Sequence, residues 1–334
     1  MSDSTQDPLG NSSTAAPPEI TPARLSGRDW GDVAFRWTVT LGALMVPLLL
    51  GFLVVELFLG SRLAIDRFGF GFLTSSNWNP VAGEFGALPL IFGTLVSSFL
   101  ALVISVPLSL GVAIFLTEFA PQKIRGPIAF VIELLAAIPS VVYGLWGIFV
   151  LIPFLRATVF PFLQHHFGWL PFFQGPLYGP SMLTAAVILA IMIMPYIMTV
   201  SREVLLAVPV SQREAALALG ATRWEAVTTA VVPYARSGII GAVVLGLGRA
   251  LGETMAVTMV IGNRHEIAAS LFAPGYTMAA AIANEFAEAV EHLHVSALSY
   301  VALVLFLVTV LVNAAARLLI WRVTRGQGGG GTGS

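Results

Sequence analysis

Six apolar stretches in this chain are each long enough to cross a hydrocarbon layer, and they leave little room for any other architecture. They run near residues 35–60, 87–116, 127–153, 181–201, 237–262 and 296–320. A bilayer core of about 30 Å takes about 20 helical residues. With 57% of its residues hydrophobic and 10% charged, the chain has too few polar groups to cover a soluble surface of this size. The expected fold class is therefore an all-α polytopic membrane protein with six transmembrane helices. Pro107 and Pro139 fall inside the second and third stretches and should bend them, because proline removes a backbone donor.

Basic residues predict the orientation. One set of connecting segments and both ends hold Arg24, Arg28, Arg36, Lys123, Arg125, Arg202, Arg213, Arg223, Arg236, Arg317, Arg322 and Arg325. The opposite set holds Arg62, Arg67, Arg156 and Arg264, and Arg249 lies within a span. The positive-inside rule then places both termini in the cytoplasm. Residues 1–30, rich in Ser, Thr, Pro and Asp, read as a disordered cytoplasmic tail, and 326–334 as a flexible Gly-rich one that could be native or appended. Between them, 31–325 form the membrane domain. The net charge of −1 gives no reason to expect nucleic acid, and the absence of cysteine excludes disulfides and thiolate metal sites.

The predicted outer segments differ in character. Residues 154–176 read as an aromatic-rich interfacial loop, with Phe154, Phe160, Phe162, Phe167, Trp169, Phe172 and Phe173. Residues 277–291 read as an amphipathic helix with Glu285, Glu288 and Glu291 on its polar side, either a partner surface or a cap over the bundle. His165-His166 and His292-x-His294 fit surface positions better than a metal site, and none is assigned.

The inner segment 202–236 is the most informative. Ser211-Gln-Arg-Glu214 fits a capping box behind Pro209, and Gly220 suits a helix C-terminus. Thr222-Arg-Trp-Glu225 is a second box. Two short helices meeting at a glycine corner make a stiff elbow, either a lever for a soluble motor or an interfacial element without a partner. Glu214-Ala215-Ala216, three residues, Gly220, nine residues, then Ala230-x-Val232-Pro233 resembles the EAA loop of ABC-importer permeases, with two aliphatic positions of its last part altered.

The resemblance covers about 35–320 and is closest to the permeases of the phosphate-specific transporter. It is carried by Phe68-Gly69 through Trp78-Asn-Pro80, Phe85 through Thr94, Thr117-Glu-Phe-Ala-Pro121 and Glu133 through Gly147. Gly248-Arg-Ala-Leu-Gly-Glu-Thr-Met-Ala-Val257 and Ile261-Gly-Asn263 complete it, and the Glu-Thr-Met-Ala-Val wording favours one of the two sister permeases. The resemblance implies a type I ABC-importer permease fold and import of inorganic phosphate by alternating access. It also implies a second permease subunit, an extracytoplasmic phosphate-binding protein, and a separate ATPase dimer that carries ATP and Mg. In that family Glu214, Ala215, Ala216, Gly220 and Pro233 belong to the loop that docks on the nucleotide-binding subunit. The chain has no Gly-rich Lys-Ser/Thr phosphate loop of its own and is not expected to be an enzyme.

Arg249 and Glu253, four residues apart, are expected on one face of the fifth span. Charges at membrane depth cost at least about 2.5–3.5 kcal/mol each, so they face a partner or a wet cavity. A guanidinium suits a phosphate oxyanion, with Glu253 holding it when the anion is absent. A self-neutralising ion pair, or a contact with the sister subunit, remain alternatives. Gly248-x-x-x-Gly252 is a recognised packing spacing. Glu118 and Glu133, at or near span ends, could be structural or functional. Two alternatives to phosphate import are a permease for another oxyanion, such as sulfate or molybdate, and a gradient-driven secondary transporter.

Overall fold

The computed structural model describes the backbone of residues 30–325 and the side chains of 30–318 and of Trp321. The expected tails lie outside these residues, apart from Trp30, which opens the first helix. The chain divides into two compact units at Leu53 and Val54. The first contains the start of α1 (Trp30–Phe68), where Leu44, Val46 and Leu48 are exposed. Such a surface is stable only in an apolar solvent.

The second unit holds the remainder of α1 and all later elements. The main helices among them are α2 (Leu88–Ile114), α3 (Gln122–Ala136), α4 (Ser140–Trp146), α5 (Phe160–Phe167) and α6 (Met182–Leu206). They continue as α7 (Val210–Ala218), α8 (Arg223–Ala226), α9 (Val232–Leu251), α10 (Met255–Val260), α11 (Met278–Glu285) and α12 (His292–Arg325). Short wide (π) turns fuse several of these into longer runs. Six runs are long and apolar enough to cross a membrane: 30–68, 88–119, 140–167, 182–206, 223–251 and 292–318.

The number of spans agrees with the sequence reading, but two are shifted. The third begins at Ser140, because the chain breaks at residues 137–139 and Pro139, in an extended conformation, opens α4. Proline here interrupts the helix instead of bending it. The run then continues to Phe167, so the first part of the expected aromatic loop is helical, with Phe160 buried against the ring of Phe272. The fifth run begins at Arg223 and ends at Leu251. Its wide turn, Val227–Val231, ends two residues before Pro233. A proline ring collides with the carbonyl four residues back, and a π turn moves that carbonyl away.

α6 is the axis of the bundle, with 61% of its most apolar stretch buried. α2 lies along it and presents Ser97, Ser98, Ser105 and Ser109, all buried. Small side chains allow two backbones to approach closely, and the Ser109 hydroxyl donates to the Met194 carbonyl at 3.1 Å. α9 packs on α6 at Gly246, where a Cβ would stand 2.6 Å from the Ile197 side chain. Gly248-x-x-x-Gly252 is not that contact: the nearest atoms to a Cβ on Gly248 and Gly252 are Asn313 Oδ1 and the Gly248 carbonyl, near 3.8 and 3.7 Å.

Candidate functional site

Two features of the second unit combine charge, concavity and special backbone. One is the elbow between α6 and α9. The expected first capping box does not form: α7 starts at Val210 behind Pro209, without a side-chain cap, so Ser211 lies inside the helix. Pro209 already sets the entry, and its carbonyl accepts from the Gln212 amide at 3.1 Å. The second box is present. Thr222 Oγ1 accepts from the Glu225 amide at 3.3 Å, and Glu225 Oε2 accepts from the Thr222 amide at 2.8 Å.

The corner between α7 and α8 closes as the sequence suggests. Gly220 has φ +88°, the left-handed region that glycine enters cheaply. The Gly220 amide donates to Leu217 and the Ala221 amide to Ala216, at 3.0 and 3.2 Å, which is a Schellman closure. Glu214 and Ala215 are exposed and Ala216 is half-buried, while Pro233 lies at the start of α9. The elbow also exposes apolar side chains: Val210, Leu217, Trp224, and Leu219 at 90%.

The other feature is the break after α9. Gly252 ends the helix, and Glu253 lies in the gap before α10, where its Oε1 accepts from the Ala256 amide at 3.3 Å. Arg249 and Glu253 therefore do not share a helix face, and no ion pair joins them among the described residues. The physical reason is competition: a carboxylate just past a glycine satisfies the open amides of the next helix. The Arg249 guanidinium instead lies over the Tyr196 ring, 4.2 Å from its centroid, and its Nε is buried without a hydrogen-bond partner.

A groove of about 600 Å³ opens beside Arg249, lined by Tyr196, Gly241, Val244, Leu245, Gly248, Asn313 and Arg317. No carboxylate is among its walls, so it suits an anion. Sequence reasoning missed Tyr196, whose signal was only an aromatic with a polar tip next to Pro195. Its hydroxyl donates to the Ala136 carbonyl, and that of Tyr143 to Leu135, each at 2.9 Å, so both tyrosines hold the broken end of α3.

A third cluster lies at the far end of the bundle from the elbow. The expected helix over 277–291 is shorter, Met278–Glu285, and Glu285 turns inward. Glu285 Oε2 accepts from Trp78 Nε1 at 2.9 Å and contacts His294 Nε2 at 3.2 Å, while Oε1 lies 3.4 Å from His265 Nε2. The imidazole of His265 stacks on Trp78, with centroids 5.1 Å apart. Burial pushes the Glu285 carboxyl up, but the His265 and Trp78 donors and nearby His294 outweigh it and hold the group below its ordinary value. Burial drives the neighbouring Tyr276 hydroxyl up to about 12.

Replacing Glu285 with glutamine leaves at least one of these donors without an acceptor. The expected loss is about 1–3 kcal/mol, read as a lower Tm of the detergent-solubilised protein at neutral pH. A depressed carboxyl stabilises above the ordinary glutamate value of 4.5. That contribution disappears as pH falls through the lowered folded value, so wild type and Glu285→Gln should converge only in acid.

A helical bundle with a capped elbow between its fourth and fifth spans, and a fifth helix broken at a charged groove, is the architecture of an ABC-importer permease. Residues 105–325 match the family of binding-protein-dependent transport system inner membrane components. The chain is 49% identical over 316 residues to the phosphate transport system permease protein PstC of Mesorhizobium japonicum, covering 91% of this chain and 97% of that one. The PstC of Pasteurella multocida is 47% identical over 301 residues, covering 89% and 94%. Among solved structures, a bacterial alginate ABC transporter in complex with its periplasmic protein has a chain that aligns with TM-score 0.58 at 16% identity. That alignment covers 89% of this chain and 99% of the other, and shows the shared fold. The chain belongs to the binding-protein-dependent transport permeases and, within them, to the PstC family.

Proposed function

We propose that this chain is one of two permease subunits through which inorganic phosphate crosses the cytoplasmic (inner) membrane of a prokaryote, with both termini in the cytoplasm. The observation that carries the phosphate reading is Arg249: a guanidinium at a groove, seated on an aromatic ring, with its nearest sequence acid spent on capping the next helix. A planar fork can give a phosphate two parallel charge-assisted hydrogen bonds. Glu253, held at the start of α10, leaves Arg249 open to the anion. Exchange of Glu253 from that cap onto the guanidinium would then release the bound phosphate.

The partners follow from membership of the PstC family: a PstA-like second permease, a PstB-like ATPase dimer with ATP and Mg, and a PstS-like extracytoplasmic phosphate-binding protein. This chain transports; hydrolysis belongs to the ATPase. The elbow, with Glu214, Ala215, Ala216, Gly220 and Pro233, is the lever that the ATPase moves. Its exposed apolar residues suit a cleft on that subunit.

The test is reconstitution of whatever copurifies with this subunit into vesicles, followed by uptake of labelled phosphate. Uptake should need ATP on the elbow side and resist competition by sulfate and molybdate. Uptake driven by an ion gradient without a copurified ATPase would overturn the reading, and strong competition by either anion would change the substrate.

A further inference from the structure

The sequence left Glu118 undecided between structure and function. In the structure it meets Arg213 of the elbow, a residue distant in the chain. Arg213 Nε lies 3.2 Å from each Glu118 oxygen, and Nη2 lies 2.9 Å from Oε1. The same guanidinium donates through Nη1 to the Val208 carbonyl at 2.7 Å and through Nη2 to the Leu205 carbonyl at 2.9 Å. One side chain thus ties three things together: the wide turn Phe115–Phe119 at the end of α2, the last turn of α6, and α7 itself. Only 12% of the Glu118 side chain and 22% of that of Arg213 are exposed.

The contact matters because α7 otherwise lies against the elbow's own later turns, Arg223–Ala226 and Val227–Val231. None of its nine residues is buried, so apolar packing does not anchor it. Nearby, the rings of Phe119 and Trp224, 6.3 Å apart, also bring the elbow against the same end of α2. A bidentate Arg–carboxylate pair fixes both distance and angle, whereas a lysine ammonium offers a single swivelling point charge. Beyond the joint, α2 runs along α6 through the core, so a displacement of α7 reaches both helices together.

We propose that Arg213 and Glu118 form the mechanical joint through which the elbow drives the second span, making both positioning residues for coupled transport. This inference rests on the elbow being the lever moved by the ATPase. Arg213 sets the height of α7 on the carbonyls of Leu205 in α6 and of Val208 just past it, and Glu118 makes α2 follow it. Without the carboxylate, the motor still closes on the elbow, but α2 no longer moves with it.

The experiment uses the complete transporter in vesicles and measures phosphate uptake and ATP hydrolysis in the same preparation. Glu118→Gln keeps the shape of the side chain and leaves the two carbonyl bonds of Arg213 intact. Arg213→Lys removes the fork but keeps the charge. A lost hydrogen bond to a charged group corresponds to about tenfold or more, so phosphate moved per ATP hydrolysed should fall by about that factor in both variants. Hydrolysis and subunit assembly should persist, and Glu118→Asp should recover part of the ratio. An unchanged ratio would overturn the joint, as would uptake and hydrolysis declining in parallel, which marks a structural staple only. If the wild-type preparation shows no ATP-dependent uptake at all, the lever reading itself fails, a result separate from either of these.

Discussion

Replacing Arg249 with alanine is expected to cut phosphate uptake by about a hundredfold or more, while the subunit still reaches the membrane and assembles. Two parallel charge-assisted hydrogen bonds to one oxyanion, each contributing about 1.5–3 kcal/mol, give a factor of that order. The side chain is half-buried, with its Cζ over the Tyr196 ring and its Nε unpartnered, and no carboxylate among the described residues pairs with its charge. Arg249→Lys should recover little of the uptake, since an ammonium cannot supply the planar fork. Because no described ion pair depends on Arg249, its removal should leave assembly and thermal stability close to wild type. The measurement is ATP-dependent uptake of labelled phosphate at matched expression, with copurification of the partner subunits as the control. Wild-type uptake by Arg249→Ala would remove the oxyanion role from this residue.

Gly93→Ala should have the largest effect on folding. A Cβ at this position in α2 would lie 2.0 Å from the Tyr276 carbonyl oxygen and 2.8 Å from its carbon. The methyl is fixed by the helix backbone and the atoms it meets are backbone, so no rotamer change relieves the overlap. The segment cannot retreat either: the next amides are already held, with Met278 donating to the Thr94 hydroxyl at 2.9 Å and Thr94 donating to the Leu90 carbonyl at 2.8 Å. Displacing the chain at Tyr276 would break these buried bonds and disturb the stacking of His265 on Trp78 beyond it. A cost above about 4 kcal/mol is expected, in the range reserved for core overpacking and broken buried networks. It would be seen as loss of folded protein from membranes and a collapsed thermal transition in detergent. A Gly93→Ala variant with wild-type yield and Tm would show that this approach is looser than the geometry indicates.

The fold was legible in the sequence wherever its cause is local. Spans follow from the mean apolarity of about 20 residues, and all six are present. The corner at Gly220 and the box at Thr222–Glu225 were readable because donor and acceptor lie within five residues of each other. Hydropathy averages over a window, however, and is blind to a break with apolar flanks. That is why the third span was placed too early at Pro139 and the fifth too far past Gly252. The same blindness misplaced Glu253, since helical spacing to Arg249 has meaning only if the helix continues. Ser211 failed as a cap because a proline two residues earlier had already started the helix. The Glu118–Arg213 joint and the inward turn of Glu285 had no local mark at all, since each partner is brought in by the packing of distant helices.

The wide turn at Val227–Val231 lies on the chain between the elbow and Arg249. In such a turn each amide looks five residues back instead of four, so the helix holds one residue of slack. Slipping from this register to the ordinary one changes the length of the rod by about 1.5 Å and rotates what lies beyond it by about 100°. Pro233, two residues past this turn, has no amide of its own to offer the carbonyls there.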